Sequence, residues 1–241
     1  MNYALIFAGG TGQRMNSRTK PKQFLELHGK PIIIHTLEHF EYHPEIDGIV
    51  VVCLEGWIDY LKRLLVRFGI SKVTHVVPGG DSGQHSIRNG LQALWEDPCV
   101  PDDAIVLIHD GVRPLINAQL ISDNIASAEQ YGNGITVTPA IETVIGVNEN
   151  GEVSDIYDRS ACRLARAPQT FRLADIMSAH QRADMDGLTN MIDSAMLMTH
   201  YGTTVHIVPG PTENIKITTP SDYYIFRAIY DAKEDAQILG V

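Results

Sequence analysis

Residues 4–24 read Ala-Leu-Ile-Phe-Ala-Gly-Gly-Thr-Gly-Gln-Arg-Met-Asn-Ser-Arg-Thr-Lys-Pro-Lys-Gln-Phe. The apolar run from Tyr3 to Ala8 has the length of a buried strand. Gly9, Gly10 and Gly12 follow it, and then Arg14, Arg18, Lys20 and Lys22. A strand that opens into a glycine-rich turn leaves backbone N–H groups free to point at an anion, with no Cβ in the way. The basic residues add full charges to those dipoles, so the stretch has the makings of a polyphosphate site. The alternative is a plain glycine turn followed by a solvated basic segment. No Gly-Lys-Ser/Thr follows at P-loop spacing, and Met15 stands where a dinucleotide fingerprint needs its third glycine.

Working outward, the chain alternates strand and helix. Ile46–Leu54, Val73–Val77 and Ala104–Ile108 are β-branched runs of buried-strand type. Pro31–Tyr42, Trp57–Phe68, Ser86–Glu96 and Ile116–Tyr131 carry apolar residues at helical spacing. That alternation predicts βαβ units and a mostly parallel, doubly wound, Rossmann-like α/β sheet, with ligands beyond the carboxyl ends of its strands. Two further strand ends carry polar clusters. Pro78-Gly-Gly-Asp-Ser-Gly-Gln-His-Ser86 leads into a helix, where an Asp or Ser can cap and the helix start favours an anion. His109-Asp-Gly-Val-Arg-Pro114 sets Asp110 at a strand end, as a ligand for Mg²⁺ or a hydroxyl, or as a partner for Arg113. His109 reads as structural.

The second half is less regular. Ile135–Ala140 is a strand. Thr143–Gly146 and Val153–Tyr157 form a hairpin across the Asn148-Glu-Asn-Gly151 turn. Such a hairpin is marginal alone and would be stabilised on a second subunit. Asp158–Phe171 carries three arginines and no predicted element. Leu173–Ala183 and Met191–Tyr201 are helical, Val205–Val208 is a strand, and a final helix runs from Tyr223 to about Asp235.

Composition narrows the classes. The net charge of −10 argues against a general nucleic-acid binder and makes the local basic clusters more informative. Three scattered cysteines, with no Cys-x-x-Cys pair, fit a reducing cytoplasm better than a disulfide framework or a zinc site. No apolar run is long enough to span a membrane.

Taken together, Ala8-Gly-Gly-x-Gly-x-Arg-Met15, Pro21-Lys-Gln, Gly79-Gly-Asp, His109-Asp-x-x-Arg-Pro, Asp158-Arg, Pro168-Gln and Asn214-Ile-Lys-x-Thr resemble, in order, the methylerythritol-phosphate cytidylyltransferases and their ribitol-5-phosphate relatives. The resemblance implies a single nucleotidyltransferase domain over 1–241, glycosyltransferase-A-like, with a dimerisation arm at about 138–163. It implies a nucleotide site at Ala8, Gly9, Gly10, Thr11, Gly12, Gly80, Asp81, Ser86 and Gly111. Arg14 and Lys22 would stabilise the transition state. Arg159 and Lys216 would place the acceptor phosphate, with Asp110, Arg113 and Thr143 nearby. Arg159 would complete the partner protomer's site in a homodimer that exchanges arms. Mg²⁺ is the implied cofactor, with Asp110 as its candidate ligand. The implied reaction is cytidylyl transfer from CTP to a polyol phosphate, with release of pyrophosphate. Methylerythritol 4-phosphate, for isoprenoid precursors, ranks first as acceptor, and ribitol 5-phosphate or a related alditol phosphate is the alternative. Two departures bear on that choice: Ala167 stands where the methylerythritol type has threonine, and His-Asp-Gly-Val-Arg-Pro is closer to the ribitol type. Two other classes stay open: a CTP-binding module without turnover, and a nicotinamide-dependent reductase, for which Glu55 would be the ribose ligand.

Overall fold

Strand β1 (Asn2–Ala8) runs through the middle of the molecule, and Ala4, Leu5 and Ile6 are wholly buried, as expected of a strand covered on both faces. The structure is a computed structural model that describes residues 1–10 and 20–239, with side chains to 236. After β1 come a small ribbon of β2 (Glu26–Leu27) and β3 (Lys30–Pro31), then α1 (Ile32–Glu41), β4 (Gly48–Cys53), α2 (Ile58–Arg67), β5 (Val73–Pro78), α3 (Gly83–Trp95), β6 (Ile105–Asp110), α4 (Ala118–Tyr131) and β7 (Asn133–Pro139). The hairpin of β8 (Ile145–Val147) and β9 (Val153–Ile156) follows, then β10 (Arg163–Arg172), α5 (Leu173–Met185), α6 (Ser194–His200), β11 (Ile207–Pro209) and α7 (Pro220–Leu239).

The main sheet has the order β11-β7-β10-β6-β1-β4-β5. Alternate residues of β1 feed two cores. Ala4, Ile6 and Ala8 face α1, α2 and α4 through Ile33, Leu37, Leu61, Leu64 and Ile121. Tyr3 and Leu5 face α3, α5 and α6 through Leu91, Leu94, Ile176 and Leu197. Each such fully buried aliphatic stabilises the fold by about 1.5–3 kcal/mol relative to exposure. A third cluster, Leu27, Ile32, Val112, Ile217 and Phe226, fastens α7 to the body. The predicted doubly wound architecture is thus present, with β1 flanked by β4 on one side and β6 on the other. The topological switch, and the crevice it opens, falls between the carboxyl ends of β1 and β6, where Phe7 pairs with Asp110.

Three expectations need correction. Asp158–Phe171 is not free of regular structure: β10 spans ten residues and inserts antiparallel between β6 and β7. Its signature is hidden because only Ala167–Phe171 is buried, while the first half carries exposed Arg163 and half-buried Arg166. The register shifts between Ala165 and Gln169, which accommodates Pro168 in a sheet interior that otherwise excludes it. The helix set to begin at Ser86 begins at Gly83, because the Ser82 hydroxyl accepts the His85 N–H at 3.1 Å and caps it. The helix read as Met191–Tyr201 begins at Ser194, where Asp193 caps it by accepting the Met196 N–H at 2.8 Å.

The β8–β9 hairpin stands apart from the main sheet, and all of β9 is exposed. Asn148 Oδ1 accepts the N–H groups of Asn150 and Glu152 and shapes its turn. Ile156 is 73% exposed on this hairpin. No helix among the described residues is long and apolar enough to cross a membrane.

Candidate active site

The turns after β1 and β5 meet over one hydroxyl. A Cβ on Gly9 would lie 3.1 Å from Ser86 Oγ and 3.4 Å from the Gly79 Cα, so the two backbones approach as only glycine allows. Ser86 Oγ accepts the Gly80 N–H at 3.1 Å, and the Gly79 N–H donates to the Cys53 carbonyl at 2.8 Å. The first turn of α3 therefore opens beside Gly9, with its unsatisfied N–H groups suited to an anion. Asp81 is exposed at the lip. Gly111 closes the other side: its N–H donates to the Phe7 carbonyl at 3.0 Å, and a Cβ there would lie 3.0 Å from that of Ala8.

Gln23 had no role in the sequence reading beyond its motif. Its buried amide donates to the carbonyls of Ala8 at 2.6 Å and Gly10 at 3.4 Å, bracing both ends of the glycine turn's start. Phe24 anchors this brace by stacking on Trp57 at 5.0 Å between centroids. Lys22 sits in the 3₁₀ turn Lys22–Phe24, and its charge acts on Asp222. Thr11, Gly12 and Arg14 lie outside the described residues.

On the β6 side, Asp110 is buried between two cations. Its Oδ1 lies 2.5 Å from Lys216 Nζ and its Oδ2 accepts from Arg113 Nε at 2.7 Å. Burial pushes this carboxyl up, but Lys216 and Arg113 more than reverse that and hold it down at about 2. Arg113 also donates to the Asn214 carbonyl at 3.0 Å, and Asn214 Nδ2 donates to the Ala167 carbonyl at 2.6 Å. Lys216 Nζ stands 5.7 Å from the centre of the Phe7 ring. His109 is wholly buried, with Nε2 on the Arg113 carbonyl, and burial lowers it to about 4. That matches a structural part.

Asp110, Arg113 and Lys216 line a cavity of about 310 Å³ with Phe7, Arg166 and Gln169. The stretch between α5 and α6 supplies Met191, Ile192 and Asp193 to it. Two buried glutamines hold that stretch. Gln84 of α3 donates to the Leu188 carbonyl and accepts the Met191 N–H; Gln169 of β10 donates to Asp193 and accepts the Ala195 N–H. Neither clamp could be read from the sequence, since each joins residues 20 or more apart through one amide.

The structure therefore gathers Ala8, Gly9, Gly80, Ser86 and Gly111 on one side of the crevice and Asp110, Arg113 and Lys216 on the other. Thr143 and Arg159 are not part of either group in this chain. Thr143 borders a neighbouring depression with Thr138 and Arg166. Arg159 is exposed beside the arm, donates to the Ile141 carbonyl at 2.8 Å and lines a separate depression with Asp158 and Arg163. The candidate metal ligand Asp110 has both oxygens engaged by cations, and the other carboxylate of the cavity, Asp193, has both of its oxygens taken by Gln169 Nε2 and the Met196 N–H. Among the described residues the only close group of three metal-ligating side chains is His28, Asp231 and Glu234, none of which borders the cavity. The donor set at Asp110 does not fit a protein-held divalent ion.

A Rossmann-like sheet with a glycine turn and a cationic cavity at its switch point defines a nucleotidyltransferase-type fold. The sequence profile described as "IspD: 2-C-methyl-D-erythritol 4-phosphate cytidylyltransferase" matches residues 3–232. The chain belongs to that family. It is 54% identical over 240 residues, covering the whole of both chains, to a protein of Vibrio parahaemolyticus named ribitol-5-phosphate cytidylyltransferase. It is 36% identical over 230 residues, 95% of this chain and 97% of the other, to a Clostridium botulinum protein named 2-C-methyl-D-erythritol 4-phosphate cytidylyltransferase. Among solved structures it resembles the 4-diphosphocytidyl-2C-methyl-D-erythritol synthase of Anaerococcus prevotii, with a TM-score of 0.81, 26% identity and coverage of 95% and 96%.

Proposed function

We propose that this protein transfers a cytidylyl group from CTP to a polyol phosphate. The observation that carries the reading is the pairing of Phe7 with Asp110 at the switch point, which sets the glycine turn and the Asp110–Arg113–Lys216 cluster side by side. An oxygen of the acceptor phosphate attacks the α-phosphorus of CTP. The new P–O bond forms as the bond to the β-phosphate oxygen breaks, and pyrophosphate leaves. The nucleophile is already anionic, so no strong base is needed; what matters is charge neutralisation and positioning. Lys22 and Arg14 neutralise the triphosphate. Lys216 and Arg113 face the acceptor, held in place by Asp110. Magnesium would be carried by the nucleotide phosphates rather than by Asp110.

Of the two acceptors, ribitol 5-phosphate has the stronger support, because the relative bearing that name is 54% identical end to end against 36% for the methylerythritol-named one. Ala167 in place of threonine and the Gly111-Val112 pair point the same way. The exposed apolar residues of the hairpin support the arm-exchanging homodimer, in which Arg159 and Thr143 enter the partner's site. A cytoplasmic place of work belongs to the same reading. The test is pyrophosphate release from CTP with ribitol 5-phosphate and methylerythritol 4-phosphate in parallel, with and without a chelator. Release with neither polyol phosphate would overturn the reading in favour of a CTP-binding module.

A further inference from the structure

The two carboxylates that border the cavity at Asp110 are fully committed. Asp110 holds Lys216 and Arg113; Asp193 accepts from the Met196 N–H and from Gln169 Nε2. The third cation of the cavity, Arg166, has no such partner. Its one hydrogen bond among the described residues is a long one, 3.4 Å from Nε to Thr138 Oγ1, and it makes no ion pair there. Burial, and then the nearby charge of Arg113, disfavour its charged form. Its backbone has little freedom to withdraw, because the next residue's carbonyl is held by Asn214. Ala167 and Pro168, which follow, bring no polar side-chain atom to the wall.

A half-buried guanidinium with free donors and like charge beside it is a built receptor for an anion, and its planar fork matches phosphate. Sheet order decides which anion. β10 lies beyond β6, two strands from β1 and on the side away from β5, so Arg166 stands roughly 10 Å across the sheet from the nucleotide turn. We propose that Arg166 is a specificity-determining residue that binds the phosphate of the acceptor, opposite Lys216, and discriminates phosphorylated from free polyols. This rests on the polyol-phosphate reading above.

Calorimetric titration of the full-length protein with D-ribitol 5-phosphate, ribitol and CTP tests it, alongside pyrophosphate release. Arg166→Gln is expected to weaken ribitol 5-phosphate binding at least about 10-fold, leave CTP binding within about twofold, and erase most of the preference for the phosphate over free ribitol. Arg166→Lys keeps the charge without the fork and is expected to fall between the two; it decides alone should the glutamine variant not fold. Acceptor affinity unchanged within about twofold, or an equal loss for CTP, overturns the assignment. So does a wild-type protein that binds no polyol phosphate. A wild type that binds ribitol 5-phosphate but releases no pyrophosphate refutes the catalytic reading, while the dissociation constants still decide the role of Arg166.

Discussion

Replacing Asp110 by asparagine removes the one carboxylate that Arg113 and Lys216 share. The carboxyl's pKa of about 2 lies below its ordinary 3.8. A depressed folded-state pKa stabilises the fold above the unfolded value, and that stability is lost as pH falls through the folded value. The relevant window therefore runs from about pH 5 down to about pH 2. A gap of roughly two units, at about 1.36 kcal/mol each, is worth about 2.5 kcal/mol at neutral pH and about half that at pH ~3. Removing one partner of a buried pair costs about 3–5 kcal/mol in general. Lys216 keeps 39% of its side chain in solvent, which moves the expectation to the lower end or beneath it. Asp110→Asn should thus be about 2–3 kcal/mol less stable than the wild type near neutral pH, with the difference about 1 kcal/mol narrower at pH ~3. Urea unfolding followed by circular dichroism at several pH values measures both quantities. A difference that stays constant with pH, or an asparagine variant as stable as the wild type at neutral pH, would refute the account of Asp110 as a shared counter-ion.

Three other outcomes are expected. Lys22→Ala should lower kcat at least about 10²-fold, roughly 2.7 kcal/mol of transition-state stabilisation, in steady-state pyrophosphate release; unchanged turnover contradicts its role. Ser86→Ala strands the Gly80 N–H, so the KM for CTP should rise about fivefold, near 1 kcal/mol, while the acceptor KM holds; equal rises would sink that division of labour. Arg159→Ala should impair use of the acceptor more than of CTP. Mixed with Lys22→Ala chains, it should recover about a quarter of wild-type activity, because half the dimers then hold one intact shared site; no recovery counts against arm exchange.

The parallel half of the sheet was legible because β1, β4 and β6 are buried on both faces and so read as unbroken apolar runs. β10 was not, because its first half answers to the cavity and to solvent rather than to the sheet. Arg163, Arg166 and Pro168 mask a strand whose buried residues occupy only its second half. The site was legible where chemistry shows in residue type: glycines at a strand end, and Asp110, Arg113 and Lys216 in short motifs. Gln23, Gln84 and Gln169 escaped notice because a glutamine's value here lies in which distant backbone it reaches, and no local pattern records that.

The glutamine tethers bear on how acceptor choice could be re-engineered. Met191 is fastened through its main chain and Ile192 sits between the two moorings, so both side chains can be exchanged without cutting either rope. A small library at these two positions would reshape the cavity's rim while sparing the sheet, the glycine turn and every charged group, which makes it the place to begin retuning the enzyme toward longer or shorter polyol phosphates.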